Sequence, residues 1–101
     1  MNQQNLMRQA RKLQEQLAKI QEDLGNEAVT GSAGAGAVEV TLNGHGNVQG
    51  IKLRKDAVDP SDVETLEDLI LVAFKDAQSK VAALSQARMG PLTGGLGIPG
   101  L

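Results

Sequence analysis

The stretch VEVTLNGHGNVQGIKLR, residues 38–54, alternates apolar and polar side chains on both sides of a turn-rich centre. Val38, Val40 and Leu42 alternate with Glu39, Thr41 and Asn43, the period of a strand with one buried face. Asn43, Gly44, His45, Gly46 and Asn47 then supply the residues of a tight hairpin turn. The return strand, residues 48–54, sends Ile51 and Leu53 one way and Lys52 and Arg54 the other. Val48 has the wrong parity to join Ile51 and Leu53, which predicts a bulge near Gly50 or a Val48 that belongs to the turn. A shorter strand is expected over residues 27–30. The glycine-rich run at 31–36 leads into the first hairpin strand. A phosphate-cradling loop would instead open a helix, so we read this run as a flexible connection.

Upstream of the sheet, Leu6, Ala10, Leu13, Leu17, Ile20 and Leu24 recur at alternating steps of four and three. That spacing predicts a helix over residues 5–24 with one narrow coiled-coil seam, closed by a left-handed cap at Gly25-Asn26. The seam's flanks are mostly neutral, with Met7, Gln9, Gln14, Gln16 and Gln21 beside it, so charge does not select its partner. Arg8, Arg11, Lys12, Glu15, Lys19 and Glu22 fall on the opposite side.

Downstream, Ser61-Asp62-Val63-Glu64 fits a capping box behind Pro60. Arg88, Gly90 and Pro91 mark the other end of a helix of about 27 residues, roughly 40 Å long. Val63, Leu66, Ile70, Phe74, Ala77, Val81 and Leu84 form its apolar stripe. Residues 69–74, which include Leu69, Ile70, Val72 and Phe74, are apolar on every side. Such a turn is expected to meet both its own sheet and a neighbour. These elements define an α+β fold: a long N-terminal helix, a three-stranded antiparallel sheet and a long C-terminal helix. We expect one domain over residues 1–89 and a flexible Gly/Pro-rich tail over residues 90–101.

The chain has 101 residues, 12 glycines, one aromatic residue (Phe74) and no cysteine. Its core would be small, and burial against a second copy is the simplest remedy. Lack of cysteine excludes thiol chemistry and cysteine-ligated zinc. Without an apolar leader or a long apolar run, a cytoplasmic location is expected.

The formal net charge of −2 argues against a general polycation, but the charges are segregated. Residues 8–19 carry four cations and one anion. Asp56, Asp59, Asp62, Glu64, Glu67 and Asp68 crowd the approach to the second helix, where the helix dipole accounts for much of their placement. His45, the single histidine, sits between two glycines with no partner for a metal site or catalytic dyad, and reads as an exposed turn residue. No enzyme signature emerges, and no cofactor, metal, membrane or small-molecule substrate is expected. The basic face of the first helix has two readings: a phosphate-binding surface, or a solvated network in which Arg11, Glu15 and Lys19 pair at i,i+4.

The order of elements, with the segments VTGSAGAGAVEV at 29–40, LNG at 42–44, LEDLI at 66–70 and AFKDA at 73–77, resembles the YbaB/EbfC family of bacterial nucleoid-associated proteins. The resemblance spans essentially the whole chain. It implies a homodimer with projecting helical arms that binds double-stranded DNA in the nucleoid and serves in DNA organisation or gene regulation. The candidate contacts are Arg8, Arg11, Lys12 and Lys19, aided by Lys75, Lys80 and Arg88. Leu69, Ile70, Val72 and Phe74 are the candidate core and dimer residues. The alternative is a coiled-coil-like protein-interaction module that does not bind DNA directly.

Overall fold

The structure is a computed structural model and describes residues 2–95. Its elements run α1 (Gln3–Asn26), β1 (Ala28–Ala33), β2 (Val38–Asn43), β3 (Val48–Leu53), a short 3-10 turn (Lys55–Ala57) and α2 (Val63–Gly95). The strands form one antiparallel sheet in the order β1-β2-β3. This is the α+β architecture expected from the sequence.

α1 starts where Asn2 Oδ1 accepts the Asn5 N–H at 2.9 Å. It ends without the expected left-handed cap: Gly25 and Asn26 stay helical and Glu27 is extended, at φ −90° and ψ 142°. The Leu24 carbonyl accepts from Glu27 N at 3.2 Å and from Gly44 N at 2.8 Å. Those donors satisfy an end carbonyl that a left-handed residue would otherwise serve.

The glycine run divides into two parts. Gly31 belongs to β1 rather than to the connection, because α2 lies against it: a Cβ there would stand 2.2 Å from Ala77 N and 2.3 Å from Ala73 O. The turn itself uses Gly34, Ala35 and Gly36, all at positive φ, and closes with Ala37 N donating to Gly34 O at 3.1 Å. In the second hairpin Thr41 faces Gly50 while Leu42 faces Val48, so Gln49 is the extra residue. That bulge reconciles the parity of Val48 with that of Ile51 and Leu53.

Helix α2 begins one residue later than the capping box implies. Asp62, not Ser61, caps it, with Oδ1 3.3 Å from Thr65 N and Oδ2 accepting the Thr65 hydroxyl at 2.6 Å. The Ser61 hydroxyl instead donates to Asp59 Oδ1 at 2.7 Å. At its far end α2 passes through Gly90 and Pro91 to Gly95. Proline removes one backbone donor, which a helix accommodates where packing supports it. Here Pro91 and Leu92 line a shallow cleft with Gln16, Lys19 and Ile20 of α1. Residues 90–95 of the expected tail are therefore helical, and the rest of it lies outside the described residues.

The core sits between α2 and the first two strands. Val38, Val40 and Leu42 are fully buried with Ala73 and Ala77, and Val29, Leu66, Leu69, Ile70, Phe74 and Val81 pack around them. Helix α2 covers β1 and β2 and stops short of β3. Ile51 and Leu53 share a sheet face with Val40 and Val38, yet remain 50% and 42% exposed.

Candidate nucleic-acid interface

Helix α1 leaves the body as an arm. Only Leu24 is fully buried along it, Leu13, Leu17 and Ile20 are half-buried, and Leu6 and Met7 near the tip are exposed. The radius of gyration is 19.5 Å, against about 13 Å for a compact chain of this length. Two long helices that extend beyond the small sheet, α1 and the end of α2 beside it, account for the difference.

With 100° per residue, Arg8, Arg11, Lys12 and Lys19 fall within an arc of about 100° on the side opposite the apolar seam, spread over roughly 16 Å of axis. All four are exposed. Among the described residues they enter no ion pair, so the i,i+4 pairing of Arg11, Glu15 and Lys19, one of the two readings of this face, is not formed. Four positive groups are thus left to solvent along one helix face, with Glu15 and Glu22 interspersed.

The other candidate cations are placed differently. Lys80 Nζ donates to Thr30 O at 2.9 Å and pairs with Asp76 at 3.3 Å. Arg88 pairs with Glu27 and ties α2 to the root of the arm. Lys75 is exposed on α2. Lys80 and Arg88 are engaged in holding elements together, while the α1 cations are not. Leu69, Ile70 and Phe74 are half-buried on the core, and Val72 is 54% exposed.

The acidic cluster is organised by local bonds. Ser61 holds the Asp59 carboxyl below its ordinary value, first through its hydroxyl and then through its N–H. The Ser32 N–H and then the Lys80 ammonium do the same for Asp76. Among the described residues no three His, Cys, Asp or Glu side chains converge as metal ligands. No helix among them is long and apolar enough to cross a membrane. Sequence reasoning missed the uncovered β3 face, because alternation marks Ile51 and Leu53 as inward without revealing how far α2 reaches.

A three-stranded sheet covered by one helix, with a second helix carried away from it as a cationic arm, defines a small α+β protein that offers an extended charged surface. Its sequence identifies which one: the pattern of the YbaB/EbfC DNA-binding family matches residues 1–96, and the chain belongs to that family. A nucleoid-associated protein of Chloroflexus aurantiacus is 51% identical over 96 residues, spanning 95% of this chain and 96% of its own. One from Roseiflexus sp. is 48% identical over 100 residues, 99% of each chain. One from Mycolicibacterium vanbaalenii is 48% identical over 99 residues, 95% of this chain and 90% of its own. The fold is shared with the crystal structure of an uncharacterized protein from Helicobacter pylori, at a TM-score of 0.73 and 19% identity over 95% of this chain and 98% of that one.

Proposed function

We propose that this protein is a nucleoid-associated, DNA-binding homodimer that holds duplex DNA through phosphate contacts and acts in DNA organisation or gene regulation. The observation that carries this reading is the exposed, unpaired set Arg8, Arg11, Lys12 and Lys19 on a projecting arm of a protein in a DNA-binding family. Cations spaced along a rigid helix meet phosphates without needing a base sequence, and they do so on the side away from the seam. The net charge of −2 leaves little general attraction to DNA, so binding is local to the arms and modest in strength. A cytoplasmic, nucleoid location follows.

Two features support the second copy. Ile51 and Leu53 of β3, with Val63 and Leu71 of α2, are large apolar residues left 42–54% exposed. The two sheet edges also differ. On β1, Lys80 caps Thr30 O and Asp76 caps Ser32 N, which blocks further strand pairing. On β3, Arg54 N turns inward to Ala37 O, so the alternating backbone groups of Ile51 and Leu53 face outward. No corresponding cap covers them among the described residues.

The protein-module alternative rests on the exposed Leu6 and Met7 at the arm's tip, 48% and 62% exposed. Fluorescence anisotropy with several unrelated duplexes of equal length decides between the two. Similar affinities for all of them support backbone binding, and no binding at low salt would leave the protein-docking reading in its place.

A further inference from the structure

α1 is a lever whose tip is free and whose C-terminal half is held: the end of α2 lies beside Gln16, Lys19 and Ile20 through Pro91 and Leu92, and Arg88 pairs with Glu27 at the root. The hairpin turn between β2 and β3 grips its last turns, and the grip is unusually close. Gly44 N donates to Leu24 O at 2.8 Å, and a Cβ on Gly44 would stand 2.3 Å from that same oxygen. Glycine is required there by space alone. One residue on, His45 reaches further up the arm: its Nε2 lies 2.7 Å from Gln21 O. A carbonyl oxygen only accepts, so Nε2 carries the proton in this bond. The ring also lies over Gly25, where a Cβ would come within 3.2 Å of Cε1. Gly25 is inside the helix, where alanine is the better helix former, and the imidazole above it supplies a reason for glycine. Asn43 steadies the turn, since its Oδ1 accepts from His45 N at 2.9 Å and from Asn47 N at 3.0 Å.

We infer that His45 is a positioning residue for the cationic arm, fixing the angle of α1 against the sheet through its bond to Gln21 O and its contact with Gly25. The consequence for DNA rests on the binding reading given above; the consequence for arm geometry does not. Arg8 lies about 20 Å along the helix from Gln21, so a swing of about 10° at the root moves it roughly 3–4 Å. That is enough to lose a phosphate contact. A preorganised arm avoids the ordering penalty that a loose one meets on binding.

The chain has no native cysteine, so Gln4→Cys and Ser79→Cys give a unique pair of spin labels between the exposed arm tip and exposed α2. Labelled full-length chain is mixed with excess unlabelled chain, so that each assembly carries one pair. Pulsed electron resonance should give a narrow distance distribution in the parent. His45→Ala should broaden it, and His45→Gln, which keeps an N–H donor, should restore much of the width. Gly25→Ala, which crowds the ring without removing it, should broaden the distribution too, and guards against a His45→Ala chain that fails to fold. For DNA, His45→Ala should weaken every duplex by about three- to ten-fold, the range of one lost hydrogen bond, with the salt dependence unchanged. Unchanged distance widths in both His45→Ala and Gly25→Ala would overturn the inference. So would a reduced salt slope in His45→Ala, which would make His45 a phosphate contact. If the widths respond as expected but no duplex binds, arm positioning stands and the DNA reading falls.

Discussion

Gly31→Ala is the substitution whose effect follows most directly from the packing of α2 on the sheet. The added methyl would meet Ala77 N at 2.2 Å, Ala73 O at 2.3 Å and Ala77 Cα at 2.7 Å, all backbone atoms. No rotamer change relieves a clash with backbone. Helix and strand must separate by about 1 Å, a gap at which neighbouring atoms forfeit a quarter to a half of their dispersion attraction. Val38, Val40, Leu42, Ala73 and Ala77, each fully buried at this junction, share that loss. Overpacking of side chains costs about 1–3 kcal/mol, and a clash against backbone on both sides belongs at or above the upper end. We expect a loss of about 3 kcal/mol or more, a large part of the roughly 5–15 kcal/mol that holds a typical domain. With no Trp or Tyr in the chain, urea unfolding is best followed by circular dichroism, at fixed protein concentration because an oligomer's midpoint moves with it. Gly50→Ala is the control, since its Cβ would meet nothing within 4 Å. Adding Ala77→Gly to Gly31→Ala should give no rescue, because the obstructing atoms are Ala77's backbone. A loss below about 1 kcal/mol, or rescue by Ala77→Gly, would refute the packing argument.

Three further outcomes are expected. Asp76 has its carboxyl pKa lowered from 3.8 by the Ser32 N–H and then by Lys80, so its stabilising contribution is present above that value and is lost as pH falls through the lowered one. Asp76→Asn should therefore flatten the acid limb of stability below about pH 4, read from urea midpoints against pH; an unaltered limb would count against the edge cap on β1. Ile51→Asp together with Leu53→Asp changes residues half-exposed in the protomer, so analytical ultracentrifugation should show a monomer whose circular dichroism is native-like; a persistent dimer would place the interface elsewhere. Lys80→Gln should leave the salt slope of DNA binding unaltered, since its ammonium serves Thr30 O and Asp76, whereas Lys19→Gln should reduce the slope by about 1–2 units for a dimer.

Local rules made the elements legible because each rests on near neighbours. The alternation of Val38, Val40 and Leu42 identified β2 and its buried face, and the misplaced parity of Val48 disclosed the bulge at Gln49. Reasoning failed where a distant segment decides the outcome. Gly31 looked like a loop residue because the approach of Ala73 and Ala77 joins positions more than forty apart in the chain. Gly25 looked like a helix cap, although Gly44 and His45 supply the donor and the contact that end α1 differently. The basic face of α1 was readable as periodicity. That Lys80 and Arg88 are engaged while Arg8, Arg11, Lys12 and Lys19 are unpaired required the tertiary structure.

The most direct test of DNA binding by the arms is the salt dependence of affinity for a duplex, measured for the parent and for Arg8→Gln, Arg11→Gln and Lys12→Gln combined. Two arms that together neutralise about four to eight phosphates give a slope of log affinity against log salt of about −4 to −7. The triple variant should weaken all duplexes alike and flatten that slope, while helix content and oligomeric mass stay unchanged because these side chains lie opposite the seam. An affinity and slope equal to those of the parent would contradict the assignment and make the face a solvated surface.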